Sequence, residues 1–126
     1  MSFLPPKDLE YLTNKKIVFE EHDGGGQKAL ILKDKILPNE RYDASKVDVL
    51  IQLPSGYPDV PPDMFYLLPW VKLKQGNRYP GKADQPHDFL GQKWQRWSRH
   101  CPEWRPGIDG IWTMLKRVDH AIREAK

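Results

Sequence analysis

Leu53-Pro54-Ser55-Gly56-Tyr57-Pro58-Asp59-Val60-Pro61-Pro62-Asp63-Met64-Phe65-Tyr66 is the stretch on which the fold is read. Apolar runs of strand character flank it, Val47 to Leu53 before and Met64 to Leu68 after. Four prolines lie between them. Each fixes φ near −65° and removes a backbone donor, so the link is neither helix nor central strand. Residues that precede proline are pushed to extended conformations, which makes the connection stiff. Upstream of the link, Val47, Val49, Ile51 and Leu53 alternate with Asp48, Leu50 and Gln52, placing the first set on a buried strand face.

Working outward, Pro5 to Lys16 reads as a short helix with Leu9 and Leu12 on one face. Ile17 to Asp23 and Gln27 to Leu37 read as strands joined through Gly24-Gly25-Gly26, a hairpin connection that exploits positive φ. A phosphate-cradling glycine loop is disfavoured, because neither a Lys-Ser/Thr pair nor a helical pattern follows. With Val47–Leu53 and Met64–Leu68 this gives four strands, and the short connections favour an antiparallel meander. Trp70 to Pro106 shows no sustained period, yet holds four of the five tryptophans and two of the four histidines. A segment of that length without elements of its own points to function. Ile108 to Lys126 closes the chain as a helix with Asp109 as its N-cap. Ile111, Leu115, Val118 and Ile122 form its apolar stripe, flanked by Trp112 and Met114. The reading is a single α+β domain over residues 1–126.

Composition narrows the function. The chain has 126 residues, a net charge of +3 and 29% charged residues, which suits one soluble globular domain. No apolar run reaches the roughly 20 residues of a membrane span, and the N-terminus does not read as a signal peptide. The lone cysteine, Cys101, excludes an internal disulfide and fits a reducing, cytoplasmic setting. Basic and aromatic residues interleave in Lys93-Trp94-Gln95-Arg96-Trp97-Ser98-Arg99-His100, a pattern used by single-strand nucleic-acid binders. The mild overall charge and the option of packing Trp94 and Trp97 on a sheet disfavour that use. A zinc site from His87, His100 and Cys101 is disfavoured because no Cys-x-x-Cys or His-x-x-x-His pair accompanies it. No cofactor is expected.

Tyr57-Pro58-Asp59-Val60-Pro61-Pro62 matches the Tyr-Pro-x-x-Pro-Pro link of the ubiquitin-conjugating (E2) superfamily. Trp104-Arg105-Pro106 matches the Trp-x-Pro that precedes its post-active-site helix. The chain resembles that superfamily over nearly its whole length, and its bacterial branch, prokaryotic E2 family E, most. The resemblance implies a UBC-like fold, with an N-terminal helix, a four-stranded antiparallel meander, an active-site loop and a C-terminal helix packed on the sheet. It implies a protein that takes a ubiquitin-like C-terminus from a ThiF-like E1 and passes it to an amine on a target protein. Bacterial systems of this kind resemble antiphage defence modules.

The resemblance weakens at the acceptor. The family's His-Pro-Asn triplet is replaced by Pro86-His87-Asp88, which lacks the asparagine. Ser98 lies 11 residues after His87 and 6 before Trp104, whereas Cys101 lies 14 after and 3 before. Position favours Ser98 and intrinsic reactivity favours Cys101, whose thiol ionises near 8.5 while a serine needs an adjacent base. The expected catalytic set is Ser98 as oxyester acceptor with His87 or His100 as base, and Arg96, Arg99 or backbone amides opposite the oxyanion. A thioester on Cys101 is the variant of that reading. A non-catalytic E2-like module that holds a ubiquitin-like partner is the alternative.

Overall fold

The computed structural model describes residues 2–24, 27–100 and 103–126. Helix α1 spans Pro6–Asn14, followed by β1 (Phe19–Gly24), β2 (Gln27–Ile36), β3 (Lys46–Leu53), β4 (Phe65–Leu68), β5 (Gln85–Phe89), β6 (Gln92–Trp97) and α2 (Ile111–Glu124). All neighbouring strands run antiparallel, in the order β1-β2-β3-β4-β6-β5. The four expected strands form the meander. The sheet nevertheless has six strands, because the segment read as irregular contributes the β5–β6 hairpin, turned at Leu90 and Gly91 with φ of 50° and 74°. The β1–β2 ladder closes at Gly24 and Gln27, while Gly25 and Gly26 lie outside the described residues.

The alternation in β3 sorts the sheet into two faces. Val47, Val49, Ile51 and Leu53 join Leu30, Leu32, Phe65, Leu67 and Trp97 in the main core, against which α2 packs Ile111, Met114, Val118, Ala121 and Ile122. Each such side chain taken fully out of water contributes about 1.5–3 kcal/mol. Leu50, from the set expected to face outward, is also fully buried, in a smaller cluster on the opposite face with Ala29, Ile31, Tyr66 and Trp94. Met114 belongs to the core and Leu115 to its margin, a rotation of the expected stripe by one residue. Among the described residues no helix is long and apolar enough to cross a membrane.

Residues 70–84 are tied down by hydrogen bonds to the sheet and to neighbouring loops, with one buried amide at their centre. The Gln95 side chain accepts from the Val71 amide at 2.9 Å and donates to the carbonyls of Val71 and Ala83 at 3.0 and 2.8 Å. Val71, Leu73 and Ala83 are buried, with Leu73 bridged to Tyr42 and Arg78, so this stretch is ordered by hydrogen bonding and carries no sequence period.

Helix α2 starts at Ile111 with Gly110 as N-cap. Asp109 does not cap it. Its carboxylate instead accepts from the Arg105 amide and guanidinium and from the Thr113 hydroxyl. The first helical amide, that of Ile111, donates to Asp8 of α1 at 3.1 Å. A Cβ on Gly110 would fall 2.6 Å from the Trp112 ring and 2.7 Å from Asp8 Oδ1, so only glycine admits this contact. Asp8, 1% exposed, also accepts the Tyr57 hydroxyl at 2.5 Å. One buried carboxylate thereby joins α1, the proline link and the start of α2.

Candidate active site

The chain after β6 runs back along the proline link. Trp97 pairs with Phe65 in the sheet ladder. Further out, His100 Nδ1 lies 2.7 Å from Asp63 Oδ1. Furthest along, the Trp104 indole donates to the Pro58 carbonyl at 2.8 Å, with its ring 6.3 Å from that of Tyr57. The proline spacing fixes one side of this double track, and sheet pairing followed by these two side-chain contacts fixes the other. Tyr57 sits half-buried at its inner end, where burial first and the Asp8 carboxylate second push its hydroxyl pKa well above the ordinary value.

Ser98 is the first residue beyond β6, opposite the Met64 end of the link. Its amide donates to the Lys82 carbonyl at 3.1 Å. Arg99 lays its guanidinium over the Trp97 ring, 5.3 Å from the centroid, and burial lowers its pKa. His100 projects to the surface, where it and Asp63 are 62% and 68% exposed. With Nδ1 engaged by Asp63, Nε2 is the ring nitrogen left without that contact. Ser98 and His100 are therefore two residues apart on a track whose opposite side supplies an orienting carboxylate.

His87 is not part of that group. It sits within β5 opposite Trp94, four strand residues before Ser98. At about 3.3 Å per residue the two are about 13 Å apart, beyond hydrogen-bond reach. Its ring stacks on Tyr66 at 4.1 Å, and burial lowers its pKa, with Asp88 opposing and Arg96 assisting. Stacked on Tyr66, it serves packing on the second face. Pro86-His87-Asp88 is thus strand and not an active-site turn, and Asp88 pairs with Lys93 at 3.1 Å. Arg96 points with Tyr66 to the face away from the helices, which separates it from Arg99. Cys101 lies outside the described residues. Among the described residues no group of three or more His, Cys, Asp or Glu could hold a metal ion.

Sequence reasoning missed Asp63 and Asp8. Asp63 follows two prolines and reads as a turn residue, and its partner is 37 positions away. Asp8 falls in the first helical turn, where an acidic residue is ordinary for the helix dipole.

No curated protein and no solved structure matches the chain. The profile of the family described as Prokaryotic E2 family E matches residues 4–125. With nearly the whole chain covered by that match, the protein belongs to prokaryotic E2 family E.

Proposed function

We propose that this protein accepts the C-terminal carbonyl of a ubiquitin-like protein from a ThiF-like E1 as an oxyester on Ser98, and passes it to an amine on a target protein. Membership of the family suggests an E2-like conjugating role. The observation that supports Ser98 is its place beside the proline link, two residues from a histidine held by a carboxylate at 2.7 Å. In the first half-reaction Ser98 Oγ attacks the thioester carbonyl on the E1 cysteine, and its proton passes to His100 Nε2. The tetrahedral intermediate collapses, the E1 thiolate leaves, and the ester bond forms. In the second, after His100 has released that proton to solvent, the target amine attacks the ester and gives up a proton to His100 Nε2; the amide bond forms as the C–Oγ bond breaks, and Ser98 Oγ departs as a hydroxyl with the proton His100 returns to it. Asp63 orients the imidazole through its contact with Nδ1. The Arg99 guanidinium, next in sequence to Ser98, supplies positive charge near the developing oxyanion.

Charging Ser98→Ala and Cys101→Ala separately with the cognate E1 and ubiquitin-like protein tests the assignment. Loss of the adduct in Ser98→Ala alone supports it. Loss in Cys101→Ala alone makes the intermediate a thioester on Cys101 and overturns it. The competing reading is a non-catalytic module that binds a ubiquitin-like partner. The placement of Pro86-His87-Asp88 inside β5 favours that module, because no asparagine amide stands at the track. On that reading no covalent adduct forms in the wild type, and partner binding is indifferent to both substitutions.

A further inference from the structure

Helix α2 presents a cationic face away from the core. Thr113, Lys116, Arg117, His120 and Arg123 recur along its length at steps that keep them on one side. Across a cleft of about 810 Å3, Arg99 and His100 face them from the loop after β6. Glu124 is the one acidic side chain among the described lining residues. Among the described residues Arg99, Lys116, Arg117 and Arg123 make no ion pair. Among the described residues the Arg99 guanidinium hydrogen-bonds to the neighbouring Ser98 carbonyl at 3.2 Å. Among the described residues Arg117 Nε is buried without a hydrogen-bond partner. Partly desolvated guanidinium groups lacking counter-charges form a site that an anion completes.

We infer that this cleft binds an acidic, extended protein segment. From Thr113 to Glu124 the helix face is about 17 Å long at 1.5 Å per residue, the span of about five residues of extended chain. Arginine matches carboxylates in two-pronged fashion, and the cleft offers arginines on both walls, Arg99 on one and Arg117 and Arg123 on the other. Single-stranded nucleic acid is the other polyanion to weigh. It is held by stacking its bases on exposed aromatic rings, and no Phe, Tyr or Trp is among the described lining residues. Trp97 lies buried beneath Arg99 and offers no stacking surface. The inference goes beyond the ester reading and stands without it. Where both hold, a bound acidic segment lies beside Ser98.

Fluorescence anisotropy with labelled hexaglutamate, hexaglutamine and hexathymidylate at low ionic strength tests it. The expected result is that hexaglutamate binds about tenfold more tightly than hexaglutamine and weakens with added salt. The double variant Lys116→Glu/Arg123→Glu should bind hexaglutamate about tenfold more weakly. Lys7→Glu/Lys15→Glu changes net charge equally at exposed positions outside the cleft, Lys7 in α1 and Lys15 just after it, and should stay within about twofold of wild type. Lys116 and Arg123 are exposed, so both double variants should melt like the wild type. Equal binding of hexaglutamine, or equal weakening by the two double variants, would overturn the inference. Tighter binding of hexathymidylate that depends on Lys116 and Arg123 would also overturn it, by making nucleic acid the occupant.

Discussion

The two ends of the proline link use the same side-chain chemistry for opposite purposes. At the inner end the Asp8 carboxylate, 1% exposed, takes a Tyr57 hydroxyl and the first amide of α2. At the outer end the Asp63 carboxylate, 68% exposed, holds His100. Burial decides the difference. A carboxylate removed from water is costly unless its oxygens are satisfied, so the inner group is locked and any disturbance of it is felt throughout the fold. A carboxylate in water gains little stability from its partner, so the outer group is free to serve chemistry. A rigid link between them lets an anchored end position a working one.

The largest effect should come from Asp8→Ala, which strips two buried donors of their acceptor and should destabilise by about 3 kcal/mol. In a domain of this size that lowers the melting temperature by about 10 °C. Loss of a degree or two would show that the inner end is not the anchor. Gly110→Ala drives a methyl group into the Trp112 ring and Asp8, and should cost about 2 kcal/mol by chemical denaturation. Tyr57→Phe keeps the ring and removes one donor from a buried carboxylate, for about 1–2 kcal/mol. A larger loss would mean that ring packing against Trp104 depends on the hydroxyl.

The smallest effect concerns acid stability. The Arg105 guanidinium first, then its amide, holds Asp109 at about 2, below the ordinary 3.8, with Thr113 assisting. A depressed carboxylate stabilises the fold above its unfolded pKa, and the contribution is lost as pH falls through the folded value. Urea midpoints should therefore drop between about pH 4 and pH 2, and Arg105→Ala should flatten that drop. An unchanged acid limb would separate Asp109 from the anchoring end.

The course of the link was legible in the sequence, but the Asp8 anchor at its inner end was not, because its contacts reach Tyr57 and Ile111 across the fold. Prolines and alternation gave the link and β3 because both rest on local rules. The hairpin was not legible. In β5, Gln85-Pro86-His87-Asp88-Phe89 has no apolar alternation, since it is an exposed edge strand in which proline is tolerated. In β6, Trp94 and Trp97 bury on opposite faces while Gln95 between them is buried for its hydrogen bonds, so the hydrophobic pattern fails to reveal a strand. At the candidate site the sequence offered Ser98 and His100 by proximity. It could not reject His87, because pairing with Trp94 is a matter of register, nor supply Asp63, because that contact spans 37 residues.

The account stands or falls at the outer end, and the single-turnover rate of charging Asp63→Ala by the cognate E1 probes it most directly. Removal of an exposed carboxylate should leave the melting temperature within about 3 °C of wild type. Charging should slow by about tenfold or more, because the His100 base loses its orienting partner. A wild-type charging rate in that variant would contradict the account.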